Sequence, residues 1–188
     1  GSPVPDSNAV AAVDAASFTT RQFEEFARLP TVDLTEFCTW LGRVGRVNGP
    51  ALLFDAWHRA QIDTATLTAT IGSVWSDAEY PDQCLDREAW RELFAAAGFT
   101  VDGQPATRPA EPVELWRGTV PERRTDWSWT TDRAVAERFA GGLRGRKPGR
   151  LYRLLAPPHA LLCANTERDE AEYVVDTTGL AITEGAEQ

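Results

Sequence analysis

Three short stretches carry side chains whose types and spacing could do chemistry. The first is Trp116-Arg117-Gly118, an arginine at the end of a predicted strand, followed by a residue with no side chain to keep a ligand off the backbone. A guanidinium there suits two-pronged contact with a phosphate or a ribose phosphate; the plainer reading is an ordinary ion pair. The second is Ser128-Trp129-Thr130-Thr131, hydroxyls at alternate positions leading into a helix, and capping that helix is the plainer use of one threonine. The third is Glu170-Ala171-Glu172, inside the run from Asp169 to Asp176. Residues i and i+2 of a strand point to one side, and two carboxylates so close raise at least one pKa. That suits acid–base work or the steadying of a developing positive charge. A solvated strand edge is the plainer reading. Between the second and third stretches, Arg138 to Arg153 holds six basic residues and no acidic one. It reads equally as a site for a small anionic ligand or as a solvated loop.

Taken in order, Arg, Ser-x-Thr and Glu-x-Glu on strands of one half resemble the Arg–Ser–Glu class of mono-ADP-ribosyltransferases, which includes bacterial toxins that modify arginine. The resemblance covers about residues 113–180. It implies NAD⁺ as co-substrate and no metal. It implies that Arg117 within Trp-Arg-Gly holds the phosphates and ribose, with Gly118 beside it. Ser128 would brace the catalytic glutamate and line the nicotinamide pocket, with Trp129 and Thr130 completing an inexact motif. Glu172 would bind the ribose 2′-OH and Glu170 orient an acceptor arginine. Phe139 and Arg144 match, more loosely, an aromatic and an arginine that pack on nicotinamide and phosphate; Phe139 also fits the apolar face of its own helix. Asn165 to Asp169 would form the target-recognition loop. Only 10 residues separate Arg117 from Ser128, which leaves no room for a helix between those strands and implies a compact or divergent member.

The chemistry is coherent on these residues. Cleavage of the nicotinamide–ribose bond passes through an oxocarbenium-like state, as in glycoside hydrolysis. Glu172 would stabilise that charge, Arg117 would anchor the pyrophosphate away from the reacting bond, and Glu170 would orient or deprotonate the nucleophile. Protein arginine is the favoured acceptor. Water as acceptor (an NAD glycohydrolase) and a nucleic acid stacked on Trp127 and Trp129 are the alternatives, together with an inactive ligand- or partner-binding module.

The elements that must position these groups follow from periodicity. Residues 1–16, rich in Ala, Ser, Pro and Asp, read as a tail. Residues 17–100 form a helical region: Phe23, Phe26 and Leu29, then Leu34, Phe37, Cys38 and Leu41, fall at helical spacing. Asp63 and Asp86 read as caps, and Gly98 as a stop. Residues 101–112, with three prolines, read as a linker. In 113–188 the period becomes that of strands, at 113–116, 127–130, 150–155, 161–163 and 170–175, with one helix capped by Thr130 or Thr131 and ended by Gly141-Gly142. The expected class is α+β, a helical region followed by a small mixed β core with the split sheets of the transferase family. The helices would cap that core or receive a partner or inhibitor.

Composition bounds the rest. The chain has 188 residues, net charge −9, 18 Arg against one Lys, and no Met. Residues 1–110 carry 8 basic and 15 acidic side chains, and residues 111–188 carry 11 and 13. The acidity therefore sits mostly in the helical half and does not forbid an anionic ligand on the other. It does oppose a long polyanion. Cys38, Cys84 and Cys163 have no metal-ligand spacing and read as free buried thiols. No apolar run reaches the roughly 18–20 residues of a membrane span, so the chain reads as soluble. Gly1-Ser2-Pro3 in place of a Met reads as the scar of a cleaved tag. That leaves a cytoplasmic protein and a delivered effector alike open.

Overall fold

The computed structural model describes residues 7–167 and 171–185, with the backbone only for residues 7–14 and Arg144. The class is α+β. Helices α1 (Ser7–Ala27), α2 (Leu34–Val44), α3 (Gly49–His58), α4 (Thr64–Asp77), α5 (Pro81–Cys84) and α6 (Arg87–Ala97) come first. Aspartates set three of their starts. Asp33, Asp63 and Asp86 accept from Glu36 N, Thr66 N and Ala89 N, each at 2.8 Å, satisfying amides that the helix leaves unpaired. Gly98, at φ 74°, ends α6. α1 starts at Ser7, so the stretch read as a tail is helical over most of its length, as its alanines favour.

The sheet is β1 (Thr100–Val101), β2 (Gln104–Pro105), β3 (Val113–Thr119), β4 (Ser128–Thr130), β5 (Arg150–Ala156), β6 (Leu161–Asn165), β7 (Glu172–Val175) and β8 (Thr183–Glu184). Their order is β2-β1-β6-β7-β4-β3-β5-β8. Among the described strands only β1 and β6 pair in parallel. The stretch read as a linker therefore opens with a hairpin that extends the sheet. Asp102 (φ 50°) and Gly103 (φ 77°) form its turn, the two positive values a tight hairpin requires. Pro105 costs nothing in β2, an edge strand.

β3 and β5 pair along seven residues, from Val113↔Ala156 to Thr119↔Arg150. β3 and β4 share only Trp116↔Thr130 and then part. The eight residues between them hold a single 3₁₀ turn, Pro121–Arg123. α7 (Arg133–Ala140) is capped by Asp132, which accepts from Ala134 N and Val135 N. The cap is thus neither Thr130 nor Thr131, and Thr130 accepts from Asp132 N at 3.0 Å. α7 packs so tightly on β3 that a Cβ on Gly118 would lie 1.8 Å from Ala136 O. The bare backbone of Gly118 is therefore required by helix packing.

The two halves share one core. Phe37, Leu52, Leu67, Ile71, Trp90 and Leu93 of the helices are continuous with Trp127, Cys163 and Val174 of the sheet. Trp75 joins them, with Trp90 at 4.9 Å edge-on and Trp127 at 5.7 Å stacked. On the other side of the sheet, Leu115, Trp129, Tyr152, Leu154 and Val175 pack with Phe99. Cys163 is buried, Cys84 half-buried and Cys38 exposed, so the expectation of three buried thiols holds for one. Among the described residues no helix is long and apolar enough to cross a membrane.

Candidate active site

Arg117 lies where β3 and β4 part. Its Nη1 donates to Ser128 O at 2.8 Å, its Nε to Arg123 O at 3.2 Å and its Nη2 to Asp126 Oδ2 at 3.2 Å. A guanidinium has five N–H donors, so among the described residues two remain for a ligand. Burial pushes the Arg117 pKa down to about 10, against the opposing pull of Asp126. Asp126 also takes Arg123 at 2.8 Å and Arg87 at 3.5 Å. One carboxylate thus serves three guanidiniums, and the local surplus is positive.

Ser128, Thr130 and Glu172 sit on neighbouring strands, with Ser128↔Val174 and Thr130↔Glu172 in register. Thr130, rather than Ser128, is directly across from Glu172. The Ser128 hydroxyl accepts from Trp75 Nε1 at 3.1 Å, so a helix of the other half fixes this oxygen and leaves its O–H to donate. Glu172 Oε1 receives Asn165 Nδ2 at 2.9 Å. The same Nδ2 donates to Gly72 O of α4 at 3.2 Å. No local pattern marks Asn165 or Trp75, since their partners lie 7, 93 and 53 residues away in the chain.

Arg117, Asp126, Ser128, Thr130, Glu172 and Trp75 line one cleft of about 320 Å³. Its floor is Trp116 to Gly118, Asp126 to Thr130 and Glu172. One wall is Val135, Ala136 and Phe139 of α7, and the other is Trp75 to Asp82, with Arg46 and Arg87. Phe139 is half-buried and faces this cleft rather than the core. Trp127 and Trp129 are 1% and 2% exposed, and Trp129 Nε1 is bound to Asp126 O at 2.7 Å. Neither indole is available to stack a base, which corrects that expectation.

Glu170 lies outside the described residues, as does the side chain of Arg144. The α7–β5 loop brings Arg146 to the cleft, exposed and lying 5.5 Å from the Phe139 ring and 6.0 Å from the Tyr80 ring. Arg123 covers Tyr80 at 4.1 Å. Cationic groups therefore gather at the Arg117 end, while Asp77, Glu79 and Asp82 line the helical wall. Sequence reasoning reached the basic segment but missed Arg146, Asp126 and the whole helical wall. Among the described residues no group of His, Cys, Asp or Glu is arranged to hold a metal ion. No family model, curated protein or solved structure matches the chain.

Proposed function

We propose that the chain is a mono-ADP-ribosyltransferase that cleaves NAD⁺ at the nicotinamide–ribose bond and transfers ADP-ribose to a macromolecule, protein arginine first, as a toxin or effector. The observation that carries this reading is the convergence of Arg117, Ser128, Thr130 and Glu172, from three strands, on one cleft. The two uncommitted N–H groups of Arg117, beside exposed Arg146, suit a pyrophosphate. Glu172, held by Asn165, suits the ribose whose anomeric carbon becomes cationic as the bond to nicotinamide breaks. The bonding electrons leave on the nicotinamide nitrogen, and the carbon is taken by the acceptor nitrogen, which gives up a proton. On the helical wall Asp77, Glu79 and Asp82 outnumber Arg46 and Arg87, which suits a cationic acceptor. The burial of Trp127 and Trp129 weighs against a nucleic acid.

The test is nicotinamide release from NAD⁺, measured for wild type and for Glu172→Gln. Wild type should release nicotinamide and the variant should lose on the order of 10²–10³-fold, the scale of one transition-state charge partner. Absence of release from wild type would sink the enzyme reading. Release with no label transferred to protein would make water the acceptor. With protein arginine as acceptor, Glu170→Gln should abolish transfer and spare hydrolysis.

A further inference from the structure

α4 enters the candidate site at two points one helical turn apart. Trp75 donates to the Ser128 hydroxyl at 3.1 Å, and the Gly72 carbonyl accepts from Asn165 at 3.2 Å. Asn165 sits at the end of β6, in register with Glu172 on β7. Its carboxamide lies over α4 so closely that a Cβ on Gly72 would come within 2.8 Å of Asn165 Oδ1. The chain just beyond Asn165 is fixed as well. Asp102 Oδ1 accepts from Thr166 N at 2.7 Å and from Glu167 N at 3.3 Å, and its Oδ2 from the Thr166 hydroxyl. Gly103, next to it, fits against α4 only because it lacks a Cβ, which would lie 2.8 Å from Ala69 O.

We infer that Asn165 is a positioning residue for Glu172, set by the Gly72 carbonyl of α4, so that the helical half orients the carboxylate of the site. This rests on the reading of Glu172 as the group that meets the ribose. A single NH₂ nitrogen shared between Glu172 and a helix carbonyl fixes the direction from which the carboxylate is held. It also favours the ionised form. Among the described residues, charged and titratable groups reach Glu172 or its cleft from both halves of the chain. β3 brings Arg117 and β6 brings Cys163, both coupled electrostatically to Glu172. The cleft around it is also lined by Arg146 from the loop after α7, by Asp126 before β4, and by Arg46, Asp77, Glu79, Tyr80, Asp82 and Arg87 from the helical half. The remaining cleft faces of α4 and α7 are Trp75 with Val135, Ala136 and Phe139, which do not titrate. Loss of the Asn165 donor should therefore move the acid limb of activity upward.

Two variants approach the contact from opposite sides. Asn165→Ala removes the donor. Gly72→Ala leaves Asn165 in place but pushes its carboxamide away, at a helix position where alanine is the better residue. The assay is the pH profile of kcat for nicotinamide release, with KM for NAD⁺, together with the titration of the Glu172 carboxyl by ¹³C NMR, assigned by its loss in Glu172→Gln. Both variants should lower kcat by on the order of 10–100-fold, as small misplacements of reacting groups do, with KM nearly unchanged, and should raise the acid limb and the Glu172 midpoint together. A Gly72→Ala protein that is folded, with both midpoints unmoved, would overturn the proposal. So would an Asn165→Ala protein that loses KM and kcat alike at a constant acid limb. If wild type releases no nicotinamide, the enzyme reading fails, and the NMR midpoints still decide whether Asn165 and Gly72 hold Glu172.

Discussion

Gly118→Ala separates two uses of a glycine beside Arg117. As a ligand-approach residue, Gly118 would cost binding and little stability when replaced. In the fold, its Cβ would lie 1.8 Å from Ala136 O and 2.4 Å from Ala140 N. Ordinary contact begins near 3.4 Å, so α7 must retreat from β3 by about 1.6 Å, and both clashing atoms are helix backbone that no rotamer change can move aside. Overpacking of this kind costs roughly 1–3 kcal/mol, and the rigid neighbours argue for about 3 kcal/mol here. Urea unfolding should show it as a lower midpoint at unchanged slope. Gly42→Ala is the control of opposite sign. Gly42 is exposed in α2, and a Cβ added there would meet nothing within 4 Å, so alanine should add about 0.5–1 kcal/mol. The reasoning is refuted if Gly118→Ala matches wild type within about 0.5 kcal/mol while losing affinity for NAD⁺.

Two further predictions concern how the halves are tied. Burial opposes ionisation of Asp176, but hydrogen bonds from Arg91 and Thr178 win and hold its pKa below 3.8. A lowered carboxyl pKa stabilises above its unfolded value and loses that contribution as pH falls through the folded one. Asp176→Asn should therefore cost at most about 1 kcal/mol at pH 7, given the exposure of Arg91, and the difference from wild type should close below pH 3.8 in urea titrations. Asp102→Gly keeps the positive φ of the turn and removes the acceptor of Thr166 and Glu167. Amide hydrogen exchange at those two residues should quicken about tenfold or more, the equivalent of one charge-assisted hydrogen bond. Unchanged exchange would mean that Asp102 does not fix this loop.

What was legible in the chain is what depends on neighbours in sequence. Asp63, Asp86 and Gly98 bound their helices because capping is settled within four residues. Strands β3, β5, β6 and β7 follow from apolar runs and alternation. The hairpin at Asp102-Gly103 carried a turn signal as well, but the prolines around it weighed toward a linker. The cap of α7 passed from Thr130 to Asp132 because Thr130 is buried on β4 across from Glu172. Of the candidate site, Arg117, Ser128, Thr130 and Glu172 were found because their spacing along strands is itself the signal. Asp126 and Trp75 were not, and Asn165 and Arg146 stood out only as members of a loop and a basic stretch, since the role of each is defined by a partner on another element.

The same distinction bears on how the site is built. Residues 113–188 contain every residue of the motif, yet three of the contacts that orient it come from outside that segment. Trp75 holds Ser128, Gly72 holds Asn165 and through it Glu172, and Asp102 holds the chain after Asn165. The buried faces of Trp127, Cys163 and Val174 pack into the helical core rather than against the rest of the sheet. A sheet stripped of residues 1–100 would expose those faces to water, at a cost set by their apolar area, and would leave the Glu172 carboxylate without the donor geometry that α4 enforces. The helical half is thus a wall of the cleft and a part of its alignment, and the motif alone is not the site.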